Sequence, residues 1–198
     1  TMKPDCVRIR SNPSGTPWPR RRCRRRRPAF GEGHRPGDED PNFIPAIPLQ
    51  WTADKAAITR SGNPTKMTLG YGDIECAVTV ESVEGGGAAV VTYEAPQGKG
   101  VEAHLPLLMI ADSITTEKGG TFALTDAELV LDAANIGASF DFGRLRVTIP
   151  EGASVRWPAR QHNPYTKDGR SELHAAKLVV VLPFGKTNVQ RVRLSVLP

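Results

Sequence analysis

The feature that most limits what this chain can fold into is a period of two in its apolar residues. Ile74, Cys76, Val78 and Val80 alternate with Glu75, Ala77, Thr79 and Glu81. Ala89, Val91 and Tyr93 alternate with Val90, Thr92 and Glu94, and Val101, Ala103, Leu105, Leu107 and Met109 form a third apolar row. Leu145, Val147 and Ile149 run against Arg144, Arg146 and Thr148, and Val192, Leu194 and Val196 against Arg191, Arg193 and Ser195. Successive side chains of a strand point to opposite faces, so each apolar row faces a core while its partner row faces water. Residues 177–183 instead form a continuous apolar run, the pattern of a strand covered on both faces.

Gly, Pro, Asn and Asp separate these segments every 8–15 residues, as at Gly85-Gly86-Gly87 and Gly98-Lys99-Gly100. Short strands at such spacing indicate an all-β fold, and we expect an antiparallel β-sandwich of about 8–10 strands. Residues 125–134 carry the best helical stripe in the chain. They read better as a strand, because Leu129 and Leu131 alternate with Val130 and Asp132. One phase slip stands out. Phe140 and Phe142 share a face, and the apolar row then resumes at Leu145, so a bulge or tight turn is expected at residues 142–144, where Gly143 permits either.

Residues 1–41 differ in kind. Their bulky apolar residues (Met2, Val7, Ile9, Trp18, Phe30) follow no period, and Pro4, Pro13, Pro17, Pro19, Pro28 and Pro36 oppose helix interiors and central strands. We expect a disordered basic tail over 1–41 and a β-sandwich domain over 42–198, entered through Pro45 and Pro48. A domain of that size buries roughly 70% of the surface of its extended chain and needs no staples.

The formal net charge of +5 belongs to the tail, where eleven basic side chains face five acidic ones; residues 42–198 are close to neutral. The centre of this charge is Arg20, Arg21, Arg22, Arg24, Arg25, Arg26 and Arg27. Such a run can neutralise phosphates and bind nucleic acid or an acidic partner. It lacks the interleaved aromatics of a single-strand stacking platform. Arg in large excess over Lys, with Pro, Gly and Ala, is also what GC-rich DNA encodes when read outside its coding frame. On that reading the tail has no function.

Other motifs have plain explanations. Cys6, Cys23 and Cys76 form neither a disulfide framework nor a Cys-x-x-Cys clip, and Cys76, within an alternating row, reads as a small buried hydrophobe. Gly185-Lys186-Thr187 matches part of a phosphate-binding loop, but position 180 is Val and a strand follows, so a hairpin turn is expected. His34, His104, His162 and His174 lack metal-ligand spacing, with His104 on the outer face of its strand, and neither metal nor cofactor is expected. No Gly-x-Ser-x-Gly elbow anchors a nucleophile. A stand-alone hydrolase using carboxylates such as Asp141 or Asp168 with His162 stays as an alternative. No run approaches the ~20 apolar residues of a spanning helix, and no secretory h-region opens the chain. The expectation is a soluble chain of unassigned compartment. Its opening Thr1-Met2 suggests a fragment.

The most informative stretch is 157–170, which joins two apolar strands. It carries Trp157, Arg160, His162, Tyr165, Lys167, Asp168 and Arg170, with turn dipeptides at Asn163-Pro164 and Asp168-Gly169. Aromatic faces and forked cations suit a sugar ring or an acidic glycan. The competing reading is a long hairpin in which Trp157 and Tyr165 cap the core. In general layout, a β-domain ending directly after its last strand resembles the terminal β-sandwich of larger bacterial carbohydrate-active hydrolases and lyases. That layout implies a non-catalytic accessory module, with a polysaccharide or a larger parent polypeptide as partner. For the nucleic-acid alternative, filter binding to duplex DNA is expected to show a log–log salt slope of about −6 and to vanish when residues 1–41 are deleted. A flat slope removes that reading.

Overall fold

The structure is a computed structural model that describes residues 7–9, 53, 55–60, 62–83, 85–108, 110–160, 163, 165–166 and 171–198. Among these residues fourteen strands form two antiparallel sheets. The five-stranded sheet has the order β1 (Val7–Ile9), β6 (Val101–Leu108), β13 (Lys177–Pro183), β12 (Ser154–Ala159) and β9 (Leu129–Asp132). The nine-stranded sheet has the order β2 (Lys55–Arg60), β3 (Thr65–Tyr71), β4 (Ile74–Ser82), β5 (Ala88–Glu94), β14 (Val189–Val196), β11 (Leu145–Thr148), β10 (Ser139–Phe142), β7 (Ser113–Thr116) and β8 (Thr121–Ala123). The expected all-β sandwich is therefore the fold, with more strands than the sequence suggests. The additional strands include short ones such as β7 and β8, where three or four residues are too few to display an alternation.

The two sheets close on one core. Ala103, Val155 and Val180 from the five-stranded sheet share a cluster with Tyr93, Phe140 and Val192 from the nine-stranded sheet, each at most 1% exposed. Full burial of a side chain such as Val or Leu contributes about 1.5–3 kcal/mol. β13 is buried on both faces, as its continuous apolar run requires. Leu178, Val180 and Leu182 enter the main core, while Val179 and Val181 form a second small cluster with Ala159 on the opposite face. Cys76 is a free thiol in the core, 1% exposed. The nine-stranded sheet outreaches its partner. Ile58 and Val80 lie on the core-facing side by register, yet are 56% and 46% exposed.

Several local expectations resolve in physical detail. At the phase slip, β10 and β11 form a hairpin in which Phe142 pairs with Leu145, so Gly143 and Arg144 make the turn. Gly143 has φ 60°, and a Cβ there would lie 3.3 Å from the Ile110 carbonyl oxygen. Residues 125–134 divide: β9 takes the alternating part, and one helical turn, α1 (Ala133–Ile136), follows. The Asp132 carboxylate accepts the Asn135 backbone N–H at 3.1 Å and so starts that turn. The Gly185-Lys186-Thr187 segment is not a hairpin. β13 and β14 lie in different sheets, so it crosses between them, with Phe184 still paired to Val101 and buried in the core where the crossing starts.

The segment read as a tail contributes β1, which pairs with β6 in the register Val7–Ala103, Arg8–Glu102 and Ile9–Val101. The rest of 1–52 lies outside the described residues, as do the arginine run and the expected domain start near 42. Ala53 packs against the core just before β2. Gly143→Ala is expected to destabilise the domain by about 1–2 kcal/mol, since a Cβ is disfavoured at this φ and meets a backbone oxygen. Gly185→Ala, with nothing within 4 Å of the added carbon, is expected to be near neutral. Denaturant unfolding of the two variants checks the difference.

Candidate functional site

The 157–170 stretch closes β12 with residues 157–159 and continues into the connection to β13, with which β12 pairs antiparallel. Its base is built from the core outward. Trp157 belongs to the inward row of β12 and is 1% exposed. Its indole N–H donates to the Thr125 carbonyl oxygen at 2.6 Å, which satisfies the one polar atom the ring brings inside. The β12–β13 register then shifts between Arg156 and Ala159. Pro158 lies at that shift and offers no N–H to the ladder, which is a sufficient cause for the irregularity.

Arg160 is the second fastening. One guanidinium nitrogen donates to the Ser171 carbonyl at 2.6 Å, and the other pairs with the Asp126 carboxylate. The Arg160 side chain is 13% exposed. A single cation thus joins both ends of the loop to the segment ahead of β9. Further out, the Asn163 side-chain oxygen accepts the Tyr165 backbone N–H at 3.0 Å, and its carbonyl accepts the Thr166 hydroxyl at 3.1 Å. This is the turn expected of Asn-Pro. It leaves Tyr165 91% exposed. Beyond the loop, His174 and Glu172 form an exposed pair at 3.2 Å.

The expected site residues therefore play different parts. Trp157 is a core side chain and presents no face to a ligand. Arg160 is committed to Asp126 and Ser171. Tyr165 stands in solvent. His162, Lys167, Asp168 and Arg170 lie outside the described residues. The partners that sequence reading missed are Thr125 and Asp126. They are separated from Trp157 and Arg160 by more than thirty residues, and no local pattern links them.

A surface cleft of about 340 Å³ lies elsewhere, lined by Lys66, Glu75, Cys76, Glu94, Pro96 and Asn188 among others. Lys66 Nζ is 3.0 Å from Glu94 Oε2. Burial, and secondarily the charge of Glu75, pushes the Cys76 thiol up to about 11, so it is not a nucleophile at neutral pH. Asp141, the carboxylate of the hydrolase alternative, sits between the inward Phe140 and Phe142 and so faces outward from the nine-stranded sheet. Arg146 donates to it twice, at 2.7 and 2.9 Å, and holds its carboxyl below the usual carboxylate range. A carboxylate so held does not carry the proton a general acid needs. His104 lies on the outward row of β6, 8% exposed, with Nε2 3.2 Å from Glu102 Oε1. Among the described residues no three His, Cys, Asp or Glu side chains gather to hold a metal. No helix among them is long and apolar enough to cross a membrane.

No family model matches the chain, and no curated protein matches it. Among solved structures, the crystal structure of 4-alpha-glucanotransferase from Thermococcus litoralis shares 12% sequence identity over 71% of this chain and 22% of that one, with a TM-score of 0.33. The chain spans about a fifth of that protein's length, and the likeness is too loose to define a common fold or activity.

The Cys76 geometry has a direct consequence. A thiol whose folded pKa is raised stabilises the fold fully below the unfolded value of 9.0, and that contribution is lost as pH rises toward about 11. At pH 8 alkylation of Cys76 is expected only on global unfolding, and stability is expected to fall from pH 9 to 11 by more than in Cys76→Ala. Alkylation followed by mass spectrometry, with unfolding curves at each pH, measures both.

Proposed function

We propose that this chain is a non-catalytic β-sandwich module that contacts glycan through the loop between β12 and β13, as an accessory or terminal part of a larger carbohydrate-active protein. The observation that carries the proposal is Tyr165. Its ring is 91% exposed on a turn fastened by Asn163, above a loop base pinned by Trp157 and Arg160. An aromatic that buries almost none of its area gives its own fold little. Set on that turn, it offers a flat apolar face with a phenolic hydroxyl at its rim, which suits the C–H face and hydroxyls of a sugar ring. Lys167 and Arg170, by sequence, would add cations for an acidic sugar.

Affinity electrophoresis of the full chain through gels holding a neutral glucan or a polyuronate tests the proposal. Retardation is expected in at least one gel, and Tyr165→Ala is expected to weaken it about tenfold, or about 1.4 kcal/mol, with the melting temperature unchanged. Trp157→Ala is expected instead to destabilise the fold by about 3–5 kcal/mol, as loss of a buried indole does. Absence of retardation in every gel, or equal retardation of Tyr165→Ala, rejects the assignment.

A further inference from the structure

The two segments whose outward rows carry arginine lie side by side in the nine-stranded sheet. β14 turns Arg191, Arg193 and Ser195 away from the core, because Gln190 and Val192 between them are buried. β11 and the turn before it present Arg144, Arg146 and Thr148 in the same way around the buried Val147. The register sets Arg193 opposite Thr148 and Arg146 opposite Ser195. One step further, the Leu197 N–H donates to the Arg144 carbonyl at 2.7 Å. Arg191, Arg193, Arg146 and Arg144 therefore occupy four successive outward rows, and all four are exposed. Same-face residues of a strand are about 7 Å apart and neighbouring strands about 5 Å apart, so the line is about 20 Å long and narrow.

What stands opposite these cations is hydroxyl. Thr92 faces Arg191 from β5, Thr148 faces Arg193, and Ser195 faces Arg146, each hydroxyl residue half-buried. Elsewhere the same face neutralises its cations: Lys66 pairs with Glu94 at 3.0 Å and Arg146 with Asp141 at 2.7 Å. Arg191 and Arg193 make no ion pair with any described residue. Arg193 Nε donates to Ser195 Oγ at 3.3 Å, which leaves both of its terminal nitrogens open. Arg144 gives an N–H of Nη2 to the Leu197 carbonyl at 3.3 Å and keeps its charge unpaired. Like charges on one sheet face repel, and a carboxylate opposite either β14 arginine would relieve this. A guanidinium beside a hydroxyl donor instead forms a ready seat for a carboxylate or sulfate from outside.

We propose that this arginine line is a docking surface for a single chain of a linear acidic polysaccharide. Charge complementarity and width select that occupant. Glu81 on β4 and Glu94 on β5 bound the strip on one side and Asp141 on β10 bounds it on the other, so the open cations track one chain rather than a broad surface. None of the outward residues of β5, β14, β11 and β10 is aromatic, so the strip offers no platform for stacking nucleic-acid bases. The inference is independent of the loop between β12 and β13, which belongs to the other sheet.

The test uses the full chain with the seven arginines of residues 20–27 replaced by serine, so that this run does not itself hold the polyanion. Affinity electrophoresis is expected to show retardation by polygalacturonate, by dextran sulfate or by both, the pattern separating carboxylate from sulfate recognition. Arg191→Ser combined with Arg193→Ser is expected to weaken it at least about tenfold, as loss of two charge-assisted contacts does, with the melting temperature unchanged. Lys55→Ser combined with Lys99→Ser removes the same charge away from the line and is expected to change it by less than about twofold, because distant surface charges are screened. Retardation by a neutral glucan, which reports the loop that carries Tyr165, is expected to be indifferent to the arginine pair, so the two readings fail separately. The proposal is overturned by lack of retardation in both polyanion gels, by a loss no greater in the arginine pair than in the lysine pair, or by a twenty-residue oligothymidylate that binds as tightly as the polysaccharide.

Discussion

The rest of the structure depends on β13 being buried on both of its faces. Leu178, Val180 and Leu182 are fully buried in the seam between the sheets, and Val179 and Val181 are almost as covered on the other side. A strand of this kind has no solvent face, and it lies inside its sheet. β6 and β12 flank it, and each is carried into register against the nine-stranded sheet by its own inward row, Val101 to Leu107 on one side and Val155 and Trp157 on the other. The two loops that leave β13 and its partner β12 then have fixed origins. One crosses to the second sheet behind Phe184, and the other is the fastened loop that holds Tyr165.

Much of the sandwich was legible in the chain because alternation is a local property. Ile74 to Val80, Ala89 to Tyr93 and Leu145 to Ile149 show their faces without reference to any other segment, and the slip at Gly143 shows a turn for the same reason. Strand count was less legible. A segment such as Thr121–Ala123 becomes a strand only because β7 lies beside it, and three residues carry no period. Residues 125–134 show the same limit from another side: alternation and a helical stripe overlap, and the Asp132 side chain divides them.

The candidate site was legible as composition and illegible as geometry. Trp157 and Tyr165 look alike in a list of aromatics. β12's inward row takes the first into the core, and the Asn163 turn turns the second out. Arg160 looks like a ligand-facing cation until Asp126 and Ser171 are placed around it. Charges in a folded chain are often consumed by partners, distant in sequence for Arg160 and Asp126, or just across a hairpin for the half-buried Asp141 and Arg146.

By itself the sequence determined that this protein is all-β, that its core rows alternate, that β13 is covered on both faces and that the net charge belongs to the N-terminal segment, because periodicity, proline and charge act at short range along the chain. Only the tertiary structure decided which sheet each strand joins, which aromatic is a pillar and which is a free face, and that residues 7–9 of a segment otherwise poor in folding signals pair with β6. Those outcomes depend on contacts between residues far apart in the chain, and no pattern along the chain encodes which distant partner a side chain or a strand edge will find.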